Sequence, residues 1–183
     1  MAITAPPPNL GWPAQDFELT DTFGAHKTLE TLRGRNGLVL MFICNHCPYV
    51  RAIIDRVCRD ALEIQTLGIG VAAIMSNDPQ AYPEDSYANM QKMAKDRSFP
   101  FPYLYDATQD VARAYGAVCT PDFLGFNSDL RLQYRGRLDS SGIAPAGLDA
   151  KHELLEAMRQ IAQTGQGPTE QTASIGCSIK WRA

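Results

Sequence analysis

The sequence predicts an α/β fold in which a central mixed β-sheet is flanked by helices. Three observations carry this. Leu38 to Ile43 is a continuous apolar run rich in branched residues, the pattern of a buried central strand. After Pro48 the apolar period changes to that of a helix: Val50, Ile53, Ile54, Val57, Cys58 and Ala61 form one stripe. Leu132 to Leu138 alternates apolar and polar residues, as an antiparallel partner strand does. Strands alternate with helices first and a hairpin follows, which gives a mixed sheet.

Residues 1–15 are Pro-rich and are expected to lie along the surface. Asp16 to Leu32 reads as short strands with a turn around Asp21–Gly24. Pro48 suits the first helical position, where a missing N–H costs nothing. Gly68 and Gly70 close that helix, and Val71 to Met75 is a second buried strand. Residues 84–97 read as a polar-faced helix, Phe101 to Tyr105 as a short strand, and Ala107 to Tyr115 as a short helix ended by Gly116. Pro121 precedes an apolar stretch, Phe123–Phe126, and a turn at Asn127–Asp129. Lys151 to Gln163 is a final amphipathic helix. The tail from Gly165 reads as polar and irregular until Ile179–Trp181. The expected organisation is one domain over residues 1–164 with a C-terminal tail over 165–183.

Composition narrows the classes of function. The chain has 183 residues, 45% of them hydrophobic, enough for a core without disulfide staples. Its formal net charge is −3, with Lys and Arg scattered, so neither nucleic acid nor an anionic membrane is an expected partner. The first residues lack the basic and apolar regions of a signal peptide, and no apolar run is long enough to span a bilayer. The expected location is the cytoplasm, where thiols are kept reduced. The five cysteines are irregularly spaced, which argues against a structural disulfide framework.

The chemistry centres on FICNHCPYVRAI, where a strand delivers Cys44 and Cys47 to the start of a helix. Free N–H groups and the dipole of a helix N-terminus favour negative charge, so a thiolate there is stabilised. A second thiol resolves the mixed disulfide formed by the first. The alternatives weighed are packing of two small apolar residues and soft-metal binding by Cys44, Cys47 and His46 to copper or zinc.

Three segments resemble the thioredoxin-like superfamily, and within it the peroxiredoxin and alkyl hydroperoxide reductase branch. They are PAQDFELTDTFG, LVLMFICNHCP and FPYLYDATQDVARAYGAVCTPDFLGFNSDLRLQYRG, and the likeness spans residues 13–164. The resemblance implies a thioredoxin-like fold. It also implies a thiol-disulfide oxidoreductase or thiol peroxidase acting on protein or low-molecular-weight thiols and disulfides, or on peroxide, with no cofactor, as a monomer or homodimer. It further implies that Thr120–Pro121 is a cis peptide beside the active cysteine.

The sequence departs from thioredoxins in one respect. Cys47 occupies the nucleophile position, yet its helix-side partner position holds Val50, so the second thiol, Cys44, lies one step toward the strand. A second alignment makes Cys44 the nucleophile. Cys47 is preferred because Pro48 marks the helix start.

Other residues carry paired readings. Cys119 is a third redox thiol or a small residue lining the pocket. Cys58 reads as core. Cys177 lies in a tail that can fold back as a resolving thiol. His46 is a thiolate-stabilising cation or an exposed loop residue, while His26 and His152 read as surface. Arg135 and Arg137 face opposite sides of their strand, so at most one approaches the site, and Asp139 is a candidate partner for either.

Overall fold

The computed structural model describes residues 2–182. Its main sheet has seven strands, in the spatial order β3-β2-β6-β5-β4-β8-β9. These are β2 (Glu18–Asp21), β3 (His26–Thr28), β4 (Gly37–Phe42), β5 (Ile69–Met75), β6 (Tyr103–Tyr105), β8 (Asp122–Phe126) and β9 (Leu132–Gly136). β4, β5 and β6 run parallel, and β8, β9, β2 and β3 extend the sheet antiparallel. This is the mixed sheet read from the sequence.

The two faces of β4 explain why its apolar run is unbroken. Val39 and Met41 pack on one side, with α2 (Pro48–Thr66) and α5 (Glu153–Thr164), through Ile54, Val57 and Met158. Leu38, Leu40 and Phe42 pack on the other, with α1 (Leu29–Leu32) and α4 (Asp110–Ala114), through Leu32, Ala112 and Tyr115. A strand covered on both faces has no position left for a polar residue.

Several elements differ from the sequence reading. The expected helix over 84–97 divides at Ser86. A 3₁₀ turn occupies Pro83–Asp85, and α3 (Tyr87–Asp96) begins after Ser86, whose hydroxyl accepts from the Asn89 N–H. That is ordinary N-capping chemistry. The short helix starts at Asp110 rather than Ala107, because Asp106 accepts from the Val111 and Ala112 N–H groups.

The larger difference concerns the ends of the chain. β10 (Ile175–Ser178) lies between β1 (Ala2–Thr4) and β7 (Cys119–Thr120) in a separate three-stranded sheet. Residues read as irregular therefore form a strand, and part of the Pro-rich segment pairs with it. Both strands are three or four residues long, too short to show a period, and they exist through pairing across the whole length of the chain. Among the described residues, no helix is long and apolar enough to cross a membrane.

Candidate active site

Three elements build the site. β4 ends at Phe42 and releases the chain into a loop carrying Cys44, Asn45 and His46. Cys47 is the N-cap of α2, and Pro48 is its first residue. β7 ends at Thr120, and the Thr120–Pro121 peptide is cis. The Cys44 sulfur lies 3.3 Å from the Thr120 hydroxyl, and Cys47 in its thiol form donates to the Thr120 carbonyl at 3.2 Å. The structure thus brings Cys44, Cys47, Thr120 and Pro121 together.

The two thiols differ sharply. The Cys44 thiol hydrogen-bonds the Cys47 sulfur, and this holds Cys47 well below the usual thiol range although burial opposes it. The Val50 N–H at the start of α2 and the N–H and thiol of Cys177 add to the effect. The Val50 N–H is one of the unpaired donors that a helix N-terminus supplies. Cys44 moves the other way. Its hydrogen bond to Cys47, its burial and the nearby Asp85 carboxylate all raise it, so it is the neutral thiol of the pair. At the N-cap of α2, Cys47 is the thiol whose ionisation its surroundings favour, and Cys44 is the one they keep neutral.

Asp85 organises the loop, and nothing in the sequence singled it out. It is fully buried. Its carboxylate accepts from the Asn45 N–H at 2.8 Å, the His46 N–H at 3.2 Å and the Asn77 amide at 2.7 Å, and it lies 2.5 Å from His46 Nδ1. Asn45 in turn accepts from the Tyr103 hydroxyl at 2.9 Å. His46 also stacks on Tyr82, with ring centroids 5.3 Å apart. It is thus neither a free loop residue nor in direct contact with the Cys47 sulfur. Its contacts tie it to Asp85 and Tyr82.

The other candidates fall as follows. Cys119 is buried and its thiol is pushed up to about 12, chiefly by burial, so it stays neutral. Cys58 is only partly buried, facing the Arg97 carbonyl at the margin of the core. Arg135 is buried in a two-pronged ion pair with Asp122, at 2.8 and 3.1 Å. Arg137 pairs with Glu153 at 2.7 Å. Asp139 joins neither Arg135 nor Arg137 and instead meets Arg56 at 2.8 Å. His152 is half-buried against Asp60, and His26 is exposed beside Glu18.

Cys177 comes closest to the dithiol from outside. In the β10–β7 pairing it stands opposite Thr120, whose carbonyl oxygen lies 3.2 Å from the Cys47 sulfur. Gly176 makes this approach possible, since a Cβ there would sit 2.0 Å from the Thr120 oxygen. Cys47 and Cys44 are 0% and 1% exposed, whereas Cys177 is only partly covered. A cavity of about 350 Å³ is lined by Tyr49, Ile53, Pro121, Phe123 and Ile175 among others.

A mixed sheet that brings two cysteines at a helix N-terminus against a cis-proline is the architecture of the thioredoxin-like class of oxidoreductases. Comparison with known proteins agrees. The pattern of the AhpC/TSA family matches residues 10–138, and the chain belongs to that family. An uncharacterized conserved protein from Geobacillus kaustophilus is 42% identical, with a TM-score of 0.93 over 100% of this chain and 97% of its own. The hypothetical protein SMc02350 from Sinorhizobium meliloti 1021 is 37% identical, with a TM-score of 0.90 over 98% of each chain. The peroxidoxin BcpB from Mycobacterium tuberculosis shares the fold at 20% identity, with a TM-score of 0.57 over 84% of this chain and 92% of its own. No curated protein sequence matches significantly.

Proposed function

We propose that the protein is a dithiol oxidoreductase in which Cys47 attacks and Cys44 resolves. The observation that carries this is the placement of both sulfurs at Thr120 beside the α2 N-terminus: Cys47 is the N-cap with its sulfur 3.2 Å from the Thr120 carbonyl, and the Cys44 sulfur is 3.3 Å from the Thr120 hydroxyl. The Cys47 thiolate attacks one sulfur of a disulfide and the other leaves as a thiolate. Cys44, losing its proton, then attacks Cys47, forms the Cys44–Cys47 disulfide and releases the second substrate thiol. A protein or low-molecular-weight dithiol reverses the process.

Peroxide is the second oxidant to which the same pair responds. Attack of Cys47 on the peroxide bond gives a sulfenic acid and an alcohol or water, and Cys44 condenses with it to the same disulfide, releasing water. The proposal includes a cytoplasmic setting and a monomeric or homodimeric protein. The test treats the reduced protein separately with a low-molecular-weight disulfide and with hydrogen peroxide, then maps disulfides. A Cys44–Cys47 link within one turnover supports the reading. Both thiols remaining alkylatable under both oxidants refutes it.

One observation favours a second reading. Ligand atoms of Cys44, His46 and Asp85 lie within 4.8 Å of one another, a spacing that suits a soft divalent ion or copper. Against it, the Asp85 oxygens already serve the Asn45, His46 and Asn77 groups. Metal analysis of protein purified with reductant separates the two readings. Stoichiometric zinc or copper, lost in Cys44→Ser, favours the metal.

A further inference from the structure

We propose that Cys177 is a third redox thiol that carries electrons between the buried Cys44–Cys47 pair and a dithiol protein outside. The inference rests on the dithiol reading above and concerns how that pair is reached.

The problem it answers is geometric. Cys47 is 0% exposed and Cys44 1% exposed, so with β10 in place no macromolecular thiol can touch either sulfur. Cys177 stands opposite Thr120 in the β10–β7 pairing, and the Thr120 carbonyl oxygen lies 3.2 Å from the Cys47 sulfur. Cys177 is itself only partly covered. Among the described residues it is therefore the cysteine that both adjoins the Cys47 site and faces solvent. The placement is built rather than incidental. β10 is held on both sides, by β1 and by β7. Gly176 lets its backbone lie against Thr120 and Pro121, where a Cβ would come within 2.0 Å of the Thr120 oxygen and 3.0 Å of the Pro121 nitrogen.

The exchange balances. In the oxidised protein the Cys177 thiolate attacks the Cys47 sulfur, the Cys44–Cys47 bond breaks, and Cys44 leaves as a thiolate and takes up a proton. The Thr120 hydroxyl, 3.3 Å from the Cys44 sulfur, is placed to donate to that departing thiolate. The external dithiol then attacks the Cys177 sulfur, and Cys47 leaves as the thiolate its surroundings favour. Lower leaving-group pKa speeds this step. The second external thiol closes the external disulfide and frees Cys177. Two electrons pass from the external dithiol to the Cys44–Cys47 disulfide.

Charge supports the order of events. Besides burial, what raises Cys177 is its hydrogen bond to Cys47 and the Cys47 negative charge. Both vanish when Cys47 is tied in a disulfide, so Cys177 becomes easier to ionise at the moment it is needed. Lys180, just beyond the end of β10, pulls it down further.

The test is disulfide mapping of wild-type and Cys44→Ser protein after limited oxidation with a low-molecular-weight disulfide, acid quenching and alkylation. The expected result is a Cys47–Cys177 link that accumulates in Cys44→Ser and equilibrates with Cys44–Cys47 in the wild type. In Cys177→Ser, reduction of the oxidised protein by purified thioredoxin should slow roughly tenfold or more, since an intramolecular thiol is replaced by a bimolecular encounter. If Cys44–Cys47 forms but Cys177 is alkylated in every oxidised state, or if thioredoxin reduces Cys177→Ser at the wild-type rate, the relay is refuted while the dithiol reading stands. If Cys44–Cys47 never forms in the wild type, the dithiol reading itself fails.

Discussion

Gly176 stands so close to Thr120 that a single added methyl group would collide with the carbonyl oxygen that lies 3.2 Å from the Cys47 sulfur. This fixes how tightly β10 covers the dithiol. Gly176→Ala should lift the strand and cost about 1–3 kcal/mol, the usual range for overpacking. Cys47 should then alkylate faster than in the wild type at the same pH. A stopped-flow labelling series with peptide mapping reads this directly. Unchanged labelling, with β10 still protected from hydrogen exchange, would show that the cover does not limit access.

The ionisation of Cys47 should be visible by ultraviolet thiolate absorbance. A free thiol titrates at about 8.5, and the depressed Cys47 value keeps its absorbance present well below that. Cys47→Ser should abolish the low-pH component. Cys44→Ala should shift it upward, because the thiol that donates to Cys47 is gone. A low-pH component that survives Cys47→Ser and disappears in Cys44→Ser would assign the nucleophile to Cys44 instead.

The same pair should write a two-sided pH dependence into stability. The folded value of Cys47 is depressed, so its contribution is complete above the unfolded value of about 8.5 and is lost as pH falls through the folded value. The folded value of Cys44 is raised, so its contribution is complete below about 8.5 and is lost as pH rises beyond it. Denaturant melts of the reduced protein, minus those of a Cys44→Ser/Cys47→Ser variant, should rise toward pH ~8.5 and fall beyond it. A difference that is flat across this range would contradict the opposed shifts.

Asp85→Asn should loosen the loop between the two cysteines. The amide keeps one acceptor where the carboxylate serves three donors and His46. Each buried donor left unpaired costs about 1–3 kcal/mol. Removing the charge should also lower the Cys44 value, since Asp85 contributes to raising it. Thermal melts test the first effect, and alkylation of Cys44 in a Cys47→Ser background tests the second. Wild-type stability would show that the loop does not depend on Asp85.

Arg135→Met should destabilise the protein by roughly 3–5 kcal/mol, because it strands the fully buried Asp122 without its cation. Asp122 is already raised by burial with Arg135 opposing it, so loss of the arginine should leave it protonated. The double variant Arg135→Met/Asp122→Asn should recover much of the loss. A double variant no more stable than Arg135→Met alone would place the cost in packing rather than charge.

Much of the site was legible because its signals are local. Pro48 marks the start of α2, which makes Cys47 the N-cap, and the apolar run before it can only be a buried strand. Thr120–Pro121 was found through likeness, and its place against both sulfurs follows from the fold. The parts that escaped the reading are those made by distant partners. Asp85 lies in a short turn that has no chemistry until Asn45 and His46 are brought to it. Arg135 has a partner, Asp122, on the neighbouring strand, whereas the sequence offered the nearby Asp139. β10 is four residues of weak pattern, and only its neighbours β1 and β7 make it a strand.

The order of synthesis gives the β1–β10–β7 sheet a consequence for the newborn protein. Chains emerge from the ribosome N-terminus first, and domains fold as they emerge. The strand that shields Cys47 spans Ile175–Ser178 and is made after every other element of the fold. Until it docks, the dithiol lacks its cover, and the partly built protein is more vulnerable to oxidants than the finished one. Ribosome-stalled chains ending before Ile175 should therefore be alkylated at Cys47 far more readily than chains that carry β10 clear of the exit tunnel.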